Sequence, residues 1–209
     1  GVVRRRIDRH SLVWEEQLLL KMIEKRLGVI FGRDEPVAIQ KLCKDPDFYN
    51  WLVYFGGDSP REWLDLLQPY IKYFVENDLS KPIDETISTE IQNSAPLRFH
   101  IDDQDYIVKI GGRVIPIGEL PPKVFKMLQF LYKNAGKIIS KEQLYFQAYL
   151  GLENVPSRGD KMFEEPTSYI NLIDTSIYRL RQAIEPDPAK PVILRTERGY
   201  GVKLVVRYL

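Results

Sequence analysis

Residues 167–204 read TSYINLIDTSIYRLRQAIEPDPAKPVILRTERGYGVKL. The first part repeats apolar side chains at Ile170, Ile173, Ile177, Leu180 and Ile184, in steps of three and four, which predicts one face of a helix. Asn171, Thr175, Tyr178, Arg179 and Gln182 fall mostly on the opposite side. Amide, hydroxyl and guanidinium groups on a solvent face can bond base edges and phosphates. A proline-containing turn follows. Two β-type runs, VILRT and VKLVV, then flank ERGYG, in which Gly199 and Gly201 permit a tight turn.

The segments upstream complete a pattern. LRFHIDDQDYIVKIGGRVIPIG alternates around Gly111 and Gly112 and predicts short antiparallel strands. LPPKVFKMLQFLYKNAGKII carries Val124, Met127, Leu128 and Leu131 as a helical stripe, with Gly136 near its stop. In SKEQLYFQAYL, Ser140 and Gln143 have the spacing of a capping box. GLENVPSRGDKMFEEP shows no period and predicts a long loop. Sheet, helix, helix, loop, helix and hairpin, in that order, make a winged helix.

The motifs RLRQAIEPDP and RTERGYG resemble the effector domain of OmpR/PhoB-type response regulators over about residues 97–207. That resemblance implies a helix entering the major groove and a hairpin reaching the adjacent minor groove. The positions matching the family's contacts are Asn171, Ser176, Tyr178 and Arg179 on the helix, with Thr196 and Arg198 on the wing. Arg181 matches a residue that is more often structural, an ion-pair partner. In this family the loop corresponding to residues 151–166 can touch the transcription machinery, which makes RNA polymerase a second expected partner. The usual RGxGY becomes RGYGV, moving the aromatic residue from a core position towards the turn at Tyr200. A wing used for protein contacts therefore stands beside the DNA reading.

The N-terminal part reads differently. SLVWEEQLLLKMIEKRLGVIF predicts a helix capped by Ser11, with Leu12, Trp14, Leu18, Met22, Ile23 and Leu27 inward. DEPVAIQKLCKD predicts another, with Asp34 as cap, Pro36 in the first turn, and Ile39, Leu42 and Cys43 on one face. PDFYNWLVYFGG is a short aromatic helix ended by glycine. SPREWLDLLQPYIKYFVEN begins with Ser59 and Glu62 at capping-box spacing, and Pro69 is expected to kink or split it. Arg61, in the first turn, opposes the helix dipole. It either pairs with Asp58 or Glu62 or points at an anion. Residues 11–83 resemble the helical lid of AAA+/STAND ATPases, in which an arginine at such a helix start senses nucleotide; Arg61 matches it. No G-x-x-x-x-G-K-[ST] loop is present in the sequence. The chain itself therefore calls for no cofactor, and ATP is expected only in a longer protein carrying an ATPase core.

Polar NDLSKPIDETISTEIQNSAP, with two prolines and no sustained period, predicts a linker. The expected organisation is α+β: an all-α helical bundle over 1–83, a linker over 84–96, and a winged helix-turn-helix over 97–209, its antiparallel sheet first and its β-hairpin wing last. Residues 1–96 hold 13 Lys/Arg against 16 Asp/Glu; residues 97–209 hold 17 against 13. The basic half is the one with the hairpin, as nucleic-acid binding requires. Cys43 is the only cysteine, read as a small core residue, and a reducing compartment fits best. No apolar run approaches the roughly 18 residues that span a bilayer, and no signal-type segment follows the basic start. A cytoplasmic protein without a membrane partner is expected. The initial Gly suggests a processed chain or a fragment. His10 and His100 are isolated, and no catalytic or metal-ligand spacing appears. The expected function is sequence-specific binding of double-stranded DNA in transcription regulation, not catalysis. Alternatives are a protein-docking winged helix and a nucleotide-sensing lid. The sequence leaves the oligomeric state open.

Overall fold

The computed structural model describes residues 14–77, 81–95 and 97–208. Four helices come first: α1 (Glu16–Ile30), α2 (Pro46–Gly56), α3 (Pro60–Asn77) and α4 (Glu85–Ser94). They are followed by β1 (Arg98–Asp102), β2 (Ile107–Ile110) and β3 (Arg113–Pro116), then α5 (Pro122–Lys133) and β4 (Ile138–Ile139). The short α6 (Lys141–Gln143) continues as a π-helical turn over Leu144–Tyr149. The chain ends with α7 (Pro166–Ile184), β5 (Leu194–Glu197), β6 (Gly201–Leu204) and β7 (Arg207–Tyr208). The architecture is α+β, with two small sheets ordered β3-β2-β1-β7 and β4-β6-β5. All strand pairs are antiparallel except β7, which joins β1 in parallel.

Several helical expectations change in the structure. Ser11 and Leu12 lie outside the described residues. On α1 the buried line is Leu19, Ile23 and Leu27, whereas Trp14 and Leu18 are exposed. Three consecutive leucines at 18–20 hide the register, and only packing selects the middle one. The helix expected from Asp34 is a single 3₁₀ turn at Ile39–Lys41. The next backbone is extended: Ile83 N donates to Leu42 O (2.9 Å) and Lys44 N to Ile83 O (2.8 Å). Those groups are thus engaged across the chain rather than along a helix. Ile39, Leu42 and Cys43 are nevertheless buried.

Helix α3 runs unbroken through Pro69. Interior proline costs about 3 kcal/mol. Trp63, Leu66, Leu67, Tyr70 and Phe74 are buried on both sides of it, at ~1.5–3 kcal/mol each, so packing wins. The expected capping box is half made. Ser59 Oγ accepts from Glu62 N at 3.4 Å, but Arg98 takes the Glu62 carboxylate at 2.8 Å.

The stretch read as a linker over 84–96 contains α4. Asp84 caps it by accepting from Ile87 N. Asp45, which also caps α2, accepts from Ser88 Oγ (2.6 Å) and Gln92 Nε2 (3.2 Å) and ties α4 down. Only Ser88 and Ile91 are buried on this helix, too few to print an apolar period on the sequence.

The β2–β3 turn is seated on the end of α2. Gly112 N donates to Phe55 O at 2.8 Å. A Cβ at Gly111 would lie 2.1 Å from Phe55 O, and one at Gly112 1.9 Å from Gly56 O. Only glycine allows this approach. Around it, Arg98 grips Glu62 and Asp65 at 2.8 and 2.7 Å, and the Arg113 guanidinium lies 3.9 Å above the Tyr54 ring. Tyr54 Oη donates to Ile184 O at 3.2 Å. The helices therefore hold both the sheet and the end of α7.

Candidate nucleic-acid interface

Helix α7 packs inward through Tyr169, Ile173, Ile177, Leu180 and Ile184. Four of these match the expected stripe. Ile170 does not: it is exposed, and Tyr169 is buried instead, stacked on Tyr145 at 4.3 Å between centroids. An aromatic partner across the helices decides that register, and it is invisible in the local period.

The outward face carries Asn171, Thr175, Tyr178, Arg179 and Gln182, all exposed. Thr175 Oγ1 donates to Asn171 O at 2.8 Å, and Gln182 Nε2 donates to Tyr178 Oη at 2.9 Å. Arg179 has no hydrogen-bond or ion-pair partner among the described residues. Ser176 is the exception among the expected contacts. It is 3% exposed, and its Oγ donates to Leu172 O at 2.8 Å. Its position one residue from Ile177 turns it to the core, so it offers nothing to a groove.

The wing is the hairpin β5–β6, extended on its other side by β4. Tyr200 N donates to Glu197 O at 2.9 Å and closes the turn. Gly199 has φ +81° and Gly201 φ +146°, and a Cβ at Gly201 would meet Ile139 O at 2.0 Å. Val202 is buried in the position nearer the core, while Tyr200 is 75% exposed at the tip. The displaced aromatic thus faces solvent. Arg198, beside it, is exposed and unpaired among the described residues. Thr196 is exposed and accepts from Arg181 Nη2 at 2.7 Å.

Two side chains of opposite charge at the C-terminal end of α7, Arg181 in its last turn and Glu185 at its C-cap, grip the start of β5 and the residues just before it. Arg181 donates from Nε and Nη2 to Leu194 O at 3.1 and 2.9 Å. It is structural, as expected, although its partners are a carbonyl and a hydroxyl instead of a carboxylate. Glu185, 4% exposed, accepts from Val192 N (2.9 Å), Ile193 N (3.0 Å) and Leu194 N (2.6 Å). Burial pushes its carboxyl above the ordinary range, against the opposing pull of the three amides and of Arg181. Sequence reasoning missed Glu185. Its signal was an acid at a helix C-terminus, where the dipole disfavours it unless something else holds it. Arg195 adds a second tie, donating from Nη2 to Asn93 Oδ1 of α4 at 2.9 Å.

The loop over 151–165 is anchored at its far end. Glu164 accepts from Tyr145 Oη (2.8 Å) and Ser168 Oγ (3.0 Å). Burial and the Glu164 carboxylate push the Tyr145 phenol up to about 12. Lys141 pairs with Asp174 at 2.6 Å on the flank of α7. On α3, Arg61 is an exposed residue 3.8 Å from Asp65 in an i,i+4 pair, not in a pair with Asp58 or Glu62. Among the described residues no group of His, Cys, Asp and Glu could hold a metal ion, and no helix is long and apolar enough to cross a membrane.

The chain matches no family model. It is 36% identical over 121 residues to the sensory transduction protein RegX3 of Mycobacterium leprae, covering 58% of this chain and 52% of that protein. It is 32% identical over 106 residues to the KDP operon transcriptional regulatory protein KdpE of Escherichia coli, covering 49% and 41%. The chain thus spans about half, or less, of the length of these curated relatives. The solved RstA DNA-binding domain of Klebsiella pneumoniae, in complex with the RstA box, overlaps it with a TM-score of 0.36 at 24% identity, covering 51% of this chain and 90% of that one. That overlap is slight, and the winged-helix assignment stands on the strand order and helix placement described above. Over the shared stretches, the chain is similar in sequence to a sensory transduction protein and to a transcriptional regulatory protein.

Proposed function

We propose that this chain binds double-stranded DNA sequence-specifically and regulates transcription, with α7 in the major groove and the β5–β6 hairpin in the neighbouring minor groove. The observation that carries the reading is the Arg181–Glu185 clamp. It fixes the wing to the helix, so that two unpaired guanidiniums, Arg179 on α7 and Arg198 on the wing, are carried on one frame. Preorganised cations lose little entropy on meeting phosphate. The similarity to a named transcriptional regulatory protein supports the same reading. Nothing in this scheme requires catalysis by the chain. The loop over 151–165, anchored by Glu164 but otherwise irregular, is the surface we assign to the transcription machinery.

Fluorescence anisotropy with genomic duplexes tests the reading. With on the order of five phosphate contacts, log K falls against log salt with a slope of about −4 to −5. Arg198→Ala weakens binding and leaves thermal stability unchanged, since the side chain has no partner to lose. Salt-independent retention, or unchanged affinity in Arg198→Ala, removes the wing from the interface. A second reading, docking of a protein on the wing, is favoured by Tyr200 at the hairpin tip, 75% exposed. On that reading no duplex binds, and Tyr200→Ala weakens the protein partner instead.

A further inference from the structure

The N-terminal half of the outward face of α7 carries a different chemistry from the rest. Asn171 and Thr175 are four residues apart, hence ~6 Å along one face of the helix. Leu172 lies beside them and is 38% exposed, although the core is already served by Tyr169, Ile173 and Ile177. Leu172 is not among the side chains that fill the core, and it leaves an apolar surface on this face. The Thr175 hydroxyl hydrogen is committed to Asn171 O at 2.8 Å. Its methyl group is therefore free for an external contact. The side-chain amide of Asn171 has no partner among the described residues. Cations are absent from this stretch. Lys141, on the flank of α7, is engaged by Asp174 at 2.6 Å. Arg179 comes eight residues after Asn171, ~12 Å further along the axis.

Guanine is read in the major groove chiefly by Arg or Lys. Adenine is read by a side-chain amide at N6 and N7, and thymine by apolar contact with its 5-methyl group. An amide flanked by two methyl-bearing side chains matches the second pair. The ~6 Å between Asn171 and Thr175 corresponds to about two base-pair steps of ~3.4 Å. We infer that this half of α7 reads A·T base pairs, Asn171 taking the adenine edge and Leu172 and Thr175 the thymine 5-methyl groups. This rests on the DNA-binding reading above and adds the base preference to it.

The test starts from a random duplex library, from which the chain selects its best site at fixed salt. Anisotropy then compares that duplex with versions in which single thymines are replaced by deoxyuridine, which removes only the methyl group. Selected sites are expected to share adjacent A·T pairs. Each deoxyuridine at a contacted position weakens the wild type about fourfold, the value of one buried methyl. Thr175→Ser, which keeps the hydroxyl and deletes the methyl, becomes indifferent to the exchange at one of these positions, and Leu172→Ala at another. Both side chains are on the exposed face, and a thermal melt confirms that the variants fold. A selected site without A·T pairs, or equal affinity for thymine and deoxyuridine throughout, overturns the inference while DNA binding stands. Failure to retain any duplex at low salt overturns the DNA-binding reading and the base preference with it.

Discussion

Replacing Glu185 by Ala removes one wall of the clamp that fixes the wing. The carboxylate accepts from three backbone amides at 2.6–3.0 Å. Ile193 and Leu194 are fully buried, so two of those N–H groups would lose their partner where water does not replace it. A buried unsatisfied donor costs ~1–3 kcal/mol, giving roughly 2–6 kcal/mol for the pair. Part of this is returned, because burial already disfavours the carboxylate and raises its pKa. The expected loss is about 3 kcal/mol, which lowers Tm by roughly 6–12 °C for a chain of this size. Urea unfolding followed by tryptophan fluorescence measures it. Amide exchange at residues 192–194 should accelerate more than at Ile173 or Ile177, which lie in the core of α7. A loss below ~1 kcal/mol, with protection at 192–194 intact, would refute the claim that Glu185 holds the strand.

The same carboxyl makes a pH prediction. Its folded pKa is raised, so the native state binds more protons than the unfolded one across that window, and stability falls as pH rises. The contribution is full below the ordinary value near 4.5 and is lost as pH climbs through the raised value. The stability of the wild type relative to Glu185→Gln should therefore decline over that interval; a rise would reverse the sign of our argument. Gly112→Ala should free the β2–β3 turn from α2, since its Cβ would stand 1.9 Å from Gly56 O; faster exchange at the Gly112 amide checks it, and unchanged protection would show that the backbones yield easily. Shortening the loop over 151–165 upstream of the Glu164 anchor should preserve duplex affinity and reduce reporter transcription; an unaltered reporter signal would make the loop a passive insertion.

The winged helix was legible because its elements are long or strongly punctuated. The stripe from Ile173 to Ile184, the Ser140–Gln143 box and the glycines of the hairpin each impose a local conformation that neighbours did not override. The exposed face of α7 was legible for the same reason, since a helical period fixes both sides at once. Elsewhere local signals failed wherever a distant residue supplied the deciding contact. Helix α4 is held by Asp45, some forty residues earlier, in a stretch whose own composition reads as a linker. Pro69 stays inside α3 because buried aromatic and aliphatic side chains outweigh one missing hydrogen bond. Ser176 looked available until the core claimed it, and Tyr169 displaced Ile170 through a ring on another helix. The sequence by itself determined the long helices and the hairpins of the winged helix, where the deciding neighbours lie one turn away or across a short turn; it determined neither α4 nor the segment around Ile39–Lys41. The tertiary structure alone decided how the wing is aimed. That orientation depends on Glu185, Arg181 and Arg195 meeting backbone and side-chain groups that are near in space but set by the packing of the whole chain.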